Sequence, residues 1–191
     1  MTKRADATVF LLAMALLLAG AGVGVVDACD GVTSMSREDT CRKAFGAAPS
    51  TGRQEGACAT ACIPPMHELC LTLTVYAVVA AKTAQWSYEA SAEAAGRLLG
   101  DASLAGDERA AYEACAGRYA AARSLAMAVQ GQLMECSYGS AKQELVDARV
   151  HVEACGGELW RFASSPLYAM NAADQLKATL ACELTGLIVG K

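Results

Sequence analysis

Histidine, asparagine and aromatic side chains are scarce in this 191-residue sequence, and each shortage removes a class of protein. Only His67 and His151 stand beside nine cysteines, which argues against a zinc-ligated fold and for disulfides formed in an oxidising compartment. The sole asparagine, Asn171, is followed by Ala-Ala, so the chain offers no acceptor for an N-linked glycan. Aromatics make up 6% of the residues, too few for the strand-rich classes that draw on aromatic and β-branched side chains. Sixteen Lys+Arg against twenty Asp+Glu give a net charge of −4, without the basic footprint that nucleic-acid binding needs. Beyond residue 28 no apolar run is long enough to cross a bilayer, since the densest, Leu69 to Ala81, is short and interrupted by Cys70, Thr72, Thr74 and Tyr76.

Catalytic patterns are missing as well. There is no Gly-x-Ser-x-Gly elbow, no His-Glu-x-x-His and no Gly-x-x-x-x-Gly-Lys phosphate loop. His67-Glu68 lacks a second histidine, and His151 sits four residues before Cys155, where a structural neighbour is the simpler reading than a cysteine nucleophile with its base. Glu89, Glu93, Asp107, Glu108, Glu113, Glu144 and Asp147 are scattered over polar helix faces. The expectation is a protein that is not an enzyme and needs neither cofactor nor metal.

What the chain has in abundance is alanine, 41 residues of it, within a composition that is 54% hydrophobic and 19% charged. Alanine is the strongest helix former, so a single all-α domain is expected. Residues 1–28 read as a secretory signal peptide: Lys3-Arg4, an apolar run broken by glycines, then small residues up to Ala28. A membrane anchor is the alternative. Cleavage there leaves a mature chain starting at Cys29, extracellular and free of the membrane.

The mature part changes character at Met66. Residues 29–65 mix glycine, proline and four cysteines and read as a stapled N-terminal arm, whereas residues 66–191 carry four segments with a 3.6-residue apolar period. The first runs from Met66 to Leu99 with Leu71, Val75, Val79, Trp86, Ala90, Ala94 and Leu98 on one stripe, closed by Gly100 at the position after the helix that glycine favours. The second opens with Asp107 as N-cap and carries Ala111, Cys115, Tyr119, Ala122, Ala126, Val129 and Leu133. A reversal at Glu135 to Gly139 leads to the third, with Ala141, Leu145, Ala148, Val152 and Cys155, which Gly156-Gly157 ends. After a linker through Trp160 and Phe162, Ser165-Pro166 caps a fourth helix bearing Met170, Ala173, Leu176, Leu180, Leu184 and Leu187. Both tryptophans, Trp86 and Trp160, read as core. Short connections between such segments predict an up-down-up-down four-helix bundle.

Cys115 and Cys155 are equidistant from residue 135, so an antiparallel hairpin turning there brings them face to face. A disulfide between them closes a loop of about 41 residues and stabilises by about 4 kcal/mol on the chain-entropy model. Two free core cysteines are the alternative. Linking Cys41 to Cys58 clamps about 18 residues of the arm into a short helical hairpin, for about 3 kcal/mol. Cys29, Cys62, Cys70, Cys136 and Cys182 remain; five is odd, so at least one is free, intermolecular or buried as a small hydrophobe.

Several stretches carry a resemblance: Asp39-Thr40-Cys41-Arg42-Lys43-Ala44, Ala57-Cys58-Ala59-Thr60, Tyr112-Glu113-Ala114-Cys115 with Tyr119-Ala120-Ala121-Ala122, Val152-Glu153-Ala154-Cys155, and Ser165-Pro166-Leu167 before a leucine-periodic helix. In their order and spacing they resemble the plant invertase and pectin methylesterase inhibitor family over the mature chain. The resemblance implies a disulfide-closed N-terminal helical hairpin on a four-helix bundle whose second and third helices share the other disulfide. It also implies a secreted, non-catalytic protein of the apoplast or cell wall that covers the active-site cleft of its target enzyme in a stoichiometric complex. The Pro-Lys-Phe motif of invertase inhibitors is absent where this chain reads Cys136-Ser137-Tyr138-Gly139, which favours pectin methylesterase over acid invertase as the partner. The exposed face of the second and third long helices, with Arg118, Arg123, Gln130, Tyr138, Lys142 and Glu144, is the expected contact surface. A secreted helical carrier of an apolar ligand and a structural bundle without inhibitory activity are the competing readings.

Overall fold

The computed structural model describes residue 29, residues 31–45 and residues 71–190. The chain divides into two compact units, Met1–Asp30 and Gly31–Lys191, and the second carries every element below. The expected leader, the expected second limb of the arm with Cys58 and Cys62, and residues 66–70 lie outside the described residues.

The fold is all-α. A short helix α1 (Arg37–Phe45) precedes four long ones: α2 (Leu73–Leu99), α3 (Gly106–Met134), α4 (Tyr138–Leu159) and α5 (Pro166–Val189), with a 3-10 turn at Trp160–Phe162 before the last. Each long helix packs on its neighbour in sequence and α5 closes the ring on α2, which makes the antiparallel bundle; α1 lies against α5. One two-residue ladder, β1 (Ser34–Met35) antiparallel to β2 (Leu71–Thr72), ties the arm to the start of α2. There Leu73 N–H donates to Thr33 O at 3.1 Å and the Tyr76 hydroxyl to Met35 O at 3.4 Å.

Local chemistry explains most of the helix ends. Ser36 and Asp39 form a reciprocal cap on α1: Asp39 N–H donates to Ser36 Oγ at 3.1 Å, and Ser36 Oγ donates to the Asp39 carboxylate at 2.8 Å. Ser165 caps α5 as its sequence predicts, accepting from Leu167 N–H at 3.2 Å with Pro166 behind it, and its Oγ also receives the Tyr112 hydroxyl at 2.8 Å. Between α3 and α4, Ser137 N–H reaches Gln132 O at 2.8 Å and Cys136 N–H reaches Leu133 O at 3.3 Å, the bond pair of a Schellman stop. The left-handed residue in that motif, normally glycine, is Cys136 with φ 61°.

Three boundary expectations are corrected, and a fourth holds in a different backbone conformation. α2 starts at Leu73 rather than Met66, because the chain before it is in the β1–β2 ladder and Thr72 caps the helix, accepting from Val75 N–H. The helix closes at Leu99 with Gly100 after it, as expected, although Gly100 is right-handed, φ −70°, and not in the left-handed conformation that makes glycine favourable there. The α2–α3 turn is also held by Arg109, whose guanidinium donates to Leu99 O at 2.9 Å, a carbonyl of the last helical turn, and to Asp101 O in the loop at 2.7 Å. α3 begins at Gly106 with Ala105 as N-cap, which places Asp107 inside the first turn. Finally, Gly156-Gly157 does not end α4, which continues to Leu159. Gly156 serves close approach: a Cβ there would lie 2.6 Å from Gln175 Nε2 and 2.7 Å from Asn171 Oδ1 of α5.

The core is built on alanine. One cluster joins Ala44, Tyr76, Ala77, Ala80, Ala81, Val129, Leu133, Ala141, Leu145 and Leu180; the other joins Ala84, Tyr88, Cys115, Tyr119, Ala122, Val152, Cys155 and Leu159. Every residue of the expected α3 and α4 stripes is buried, and the structure adds Tyr112 and Leu159 to them. The α2 and α5 stripes match only in part, at Ala94, Leu180 and Leu184. α2 buries Ala77, Ala80, Ala84, Tyr88, Ser91 and Ala95 and turns Trp86 outward at 57% exposure, while Trp160 stands 69% exposed in the 3-10 turn, so neither tryptophan is core. On α5 the buried positions include Leu167, Asn171, Asp174, Ala178, Leu180, Ala181, Leu184 and Thr185, and Ala173 is exposed. In both helices small and polar residues share the inward face with bulky ones, Tyr76 and Tyr88 on α2 and Leu167, Leu180 and Leu184 on α5.

Candidate functional site

Cys115 and Cys155 form the expected disulfide, with Cα atoms 4.8 Å apart and both residues fully buried between α3 and α4. Cys41 is disulfide-bonded too, as are Cys29 and Cys136; Cys58, its expected partner, lies outside the described residues. Cys182 is free and buried on α5, and burial pushes its thiol up to about 11, away from the thiolate that reactivity requires.

The six residues expected to form one contact face are distributed over the bundle. Arg123 pairs with Glu89 of α2 at 3.1 Å, and Gln130 Nε2 donates to Gln85 Oε1 of α2 at 2.7 Å, so both lie on the α2–α3 seam. Five and twelve residues from Arg118, they stand about 140° and 120° around the helix from it, at about 100° a residue. Arg118 is exposed on the other flank. Glu144 of α4 accepts from Gln132 Nε2 of α3 at 2.6 Å, and Lys142 is half-buried. Tyr138 tucks against the core, its hydroxyl 2.9 Å from Thr74 Oγ1 of α2, and offers no central exposed anchor. The structure thus brings Arg123 and Gln130 together and separates them from the other four.

The densest polar constellation is one the sequence reading did not single out. Asp174 of α5 is 1% exposed, and its carboxylate accepts from Ser91 Oγ at 2.6 Å and from Ser87 Oγ, both on α2. Lys177 Nζ lies 3.5 Å from the same carboxylate and also contacts Ser87 Oγ. Beside it, Asn171 Nδ2 donates to the Tyr119 hydroxyl at 3.0 Å and to Val152 O at 2.8 Å, and Asn171 Oδ1 accepts from Gln175 at 2.8 Å. Burial, reinforced by the nearby Asp174 charge, pushes the Tyr88 and Tyr119 phenols well above their usual range. A serine touching a lysine resembles a nucleophile with its base, but the lysine is engaged by a carboxylate, so the trio acts as a clamp joining α2 to α5. The signal for it was present: Asn171 and Asp174 fall three residues apart, in phase with Ala178 and Ala181.

Among the described residues no group of three or more histidines, cysteines or carboxylates is placed to hold a metal ion, and no helix is long and apolar enough to cross a membrane. No protein-family model, curated protein or solved structure matches the chain.

Proposed function

We propose that this protein is a secreted, non-catalytic binding protein that inhibits plant cell-wall pectin methylesterase by covering its active-site cleft. The observation that supports this reading is the Cys115–Cys155 bridge across α3 and α4, in a bundle whose N-terminal arm carries two further disulfide-bonded cysteines, Cys29 and Cys41. The family resemblance implies a bridge between these two helices and a further one in the arm. A stiff, covalently braced surface suits such a role, because a pre-organised binder loses little conformational freedom on docking.

Acid invertase is the alternative target, disfavoured by the missing Pro-Lys-Phe motif at the α3–α4 turn. Titration of the purified protein against both enzymes at mildly acidic pH tests the reading. Stoichiometric loss of pectin methylesterase activity with invertase unaffected is the expected outcome; full activity of both enzymes at saturating protein overturns it.

A further inference from the structure

The outward face of α2 and α3 separates charge in an unusual way. Between Leu73 and Tyr88 on α2, and between Ala114 and Met134 on α3, the chain contains no carboxylate at all, in a protein whose net charge is −4. The same stretches carry Lys82 and Arg123 on this face, with Arg118 on the opposite flank of α3. Lys82 makes no ion pair among the described residues; its ammonium sits 5.1 Å from the centroid of the Trp86 ring. Glu89, at the border of this region, is already matched by Arg123.

Large apolar side chains are exposed on the same face. Met127 (49%) and Met134 (58%) of α3 join Trp86 of α2. The Gln85–Gln130 and Glu89–Arg123 contacts fix the register of the two helices, and that register puts Trp86 and Met127 at one level of the bundle. Tryptophan and methionine at the centre with cations alongside is the composition that protein interfaces favour.

We infer that the α2–α3 face centred on Trp86, with Lys82, Met127 and Met134, docks an acidic surface of the partner protein, the indole entering an apolar recess and the Lys82 ammonium meeting a carboxylate. Charge complementarity selects that partner: Glu89 and Glu93 are matched by Arg123 and Arg97, which leaves the Lys82 ammonium as the unbalanced charge of this patch among the described residues, and an unbalanced cation steers towards negative surfaces. The inference rests on the proposed inhibitor function for the identity of the partner. It moves the contact surface away from the α3–α4 face, keeping only Arg123 and Gln130 at its edge.

The test is interferometry of immobilised full-length protein against purified pectin methylesterase, at several salt concentrations and mildly acidic pH. Trp86→Ala weakens binding at least tenfold. Lys82→Glu weakens it about tenfold and flattens the salt dependence, a change that a merely structural role would not produce. Trp160→Ala, which removes an equally exposed tryptophan elsewhere, leaves affinity unchanged; circular dichroism confirms the fold of each variant. Wild-type binding that neither Trp86→Ala nor Lys82→Glu alters overturns the surface and leaves the inhibitor reading standing. Failure of the wild-type protein to bind the enzyme overturns that reading and this partner with it. A wild-type dimer in sedimentation that Trp86→Ala dissolves overturns the acidic partner in favour of a second copy.

Discussion

Two seams of the bundle solve the same problem by different chemistry. α3 meets α4 through a covalent bond between fully buried sulfurs, flanked by Ala122, Leu145, Ala148 and Val152. α2 meets α5 through a buried carboxylate held by two serines and a lysine. The first acts mainly on the unfolded chain by shortening its loops, and tolerates modest imperfection in the packing around it. The second acts on the folded state and is all-or-nothing: satisfied, it fixes the register of α5 on α2; with one member gone, it leaves a polar group buried without compensation.

That contrast breaks most sharply at Asp174. Asp174→Ala strands Ser87, Ser91 and Lys177 and should cost about 3–5 kcal/mol, seen as a fall in the denaturation midpoint. Removing the sulfur brace by the double change Cys115→Ala and Cys155→Ala should cost about 2–4 kcal/mol in the same measurement. A larger loss from the disulfide than from Asp174 would reverse the ranking of the two seams. Gly156→Ala probes α4 against α5: its methyl collides with Asn171 and Gln175, and an overpacking cost of about 1–3 kcal/mol, set against a helix-propensity gain of about 1 kcal/mol, should leave a net loss of up to about 2 kcal/mol in the same measurement.

The smallest effect is in alkali. Cys182, Tyr88 and Tyr119 are raised by burial, so each is neutral when folded and ionises more readily once unfolded. Their contribution is fully present below the unfolded thiol value of 9.0 and is lost as pH rises towards about 11 and beyond. Thermal melts should therefore decline above about pH 9, with Cys182→Ala removing the first part of that decline. Native protein should leave the Cys182 thiol unlabelled by a thiol reagent at neutral pH.

The same division governs how much of the molecule its sequence discloses. In α3 and α4 the buried stripe is built from Cys115, Tyr119, Val129, Leu133, Leu145 and Val152, side chains whose hydropathy marks the inward face, and that face was legible residue by residue. In α2 and α5 the inward face mixes Tyr88, Leu167, Leu180 and Leu184 with Ala84, Ser91, Asn171 and Asp174, while Trp86 points out. Hydrophobic periodicity points the wrong way when close approach, rather than apolar bulk, decides which residues are inside. Gly156 is the same case in miniature, since local propensity reads a stop where contact with α5 requires a missing side chain. Of the expected contact residues, Arg123 and Gln130 proved to be neighbours because they share a helix flank, but spacing along two helices could not reveal that Glu144 reaches across to Gln132 or that Tyr138 folds inward.

Because every long helix lies beside its immediate predecessor in the chain, the native pairings are mostly local and the search for them is short. Helical arrangements of this kind assemble far faster than thiols oxidise. The α3–α4 hairpin should thus find its shape first, guided by the tight reversal at Cys136, and oxidation then records an arrangement already reached, so that reduced chains are expected to refold to the same topology, only less durably.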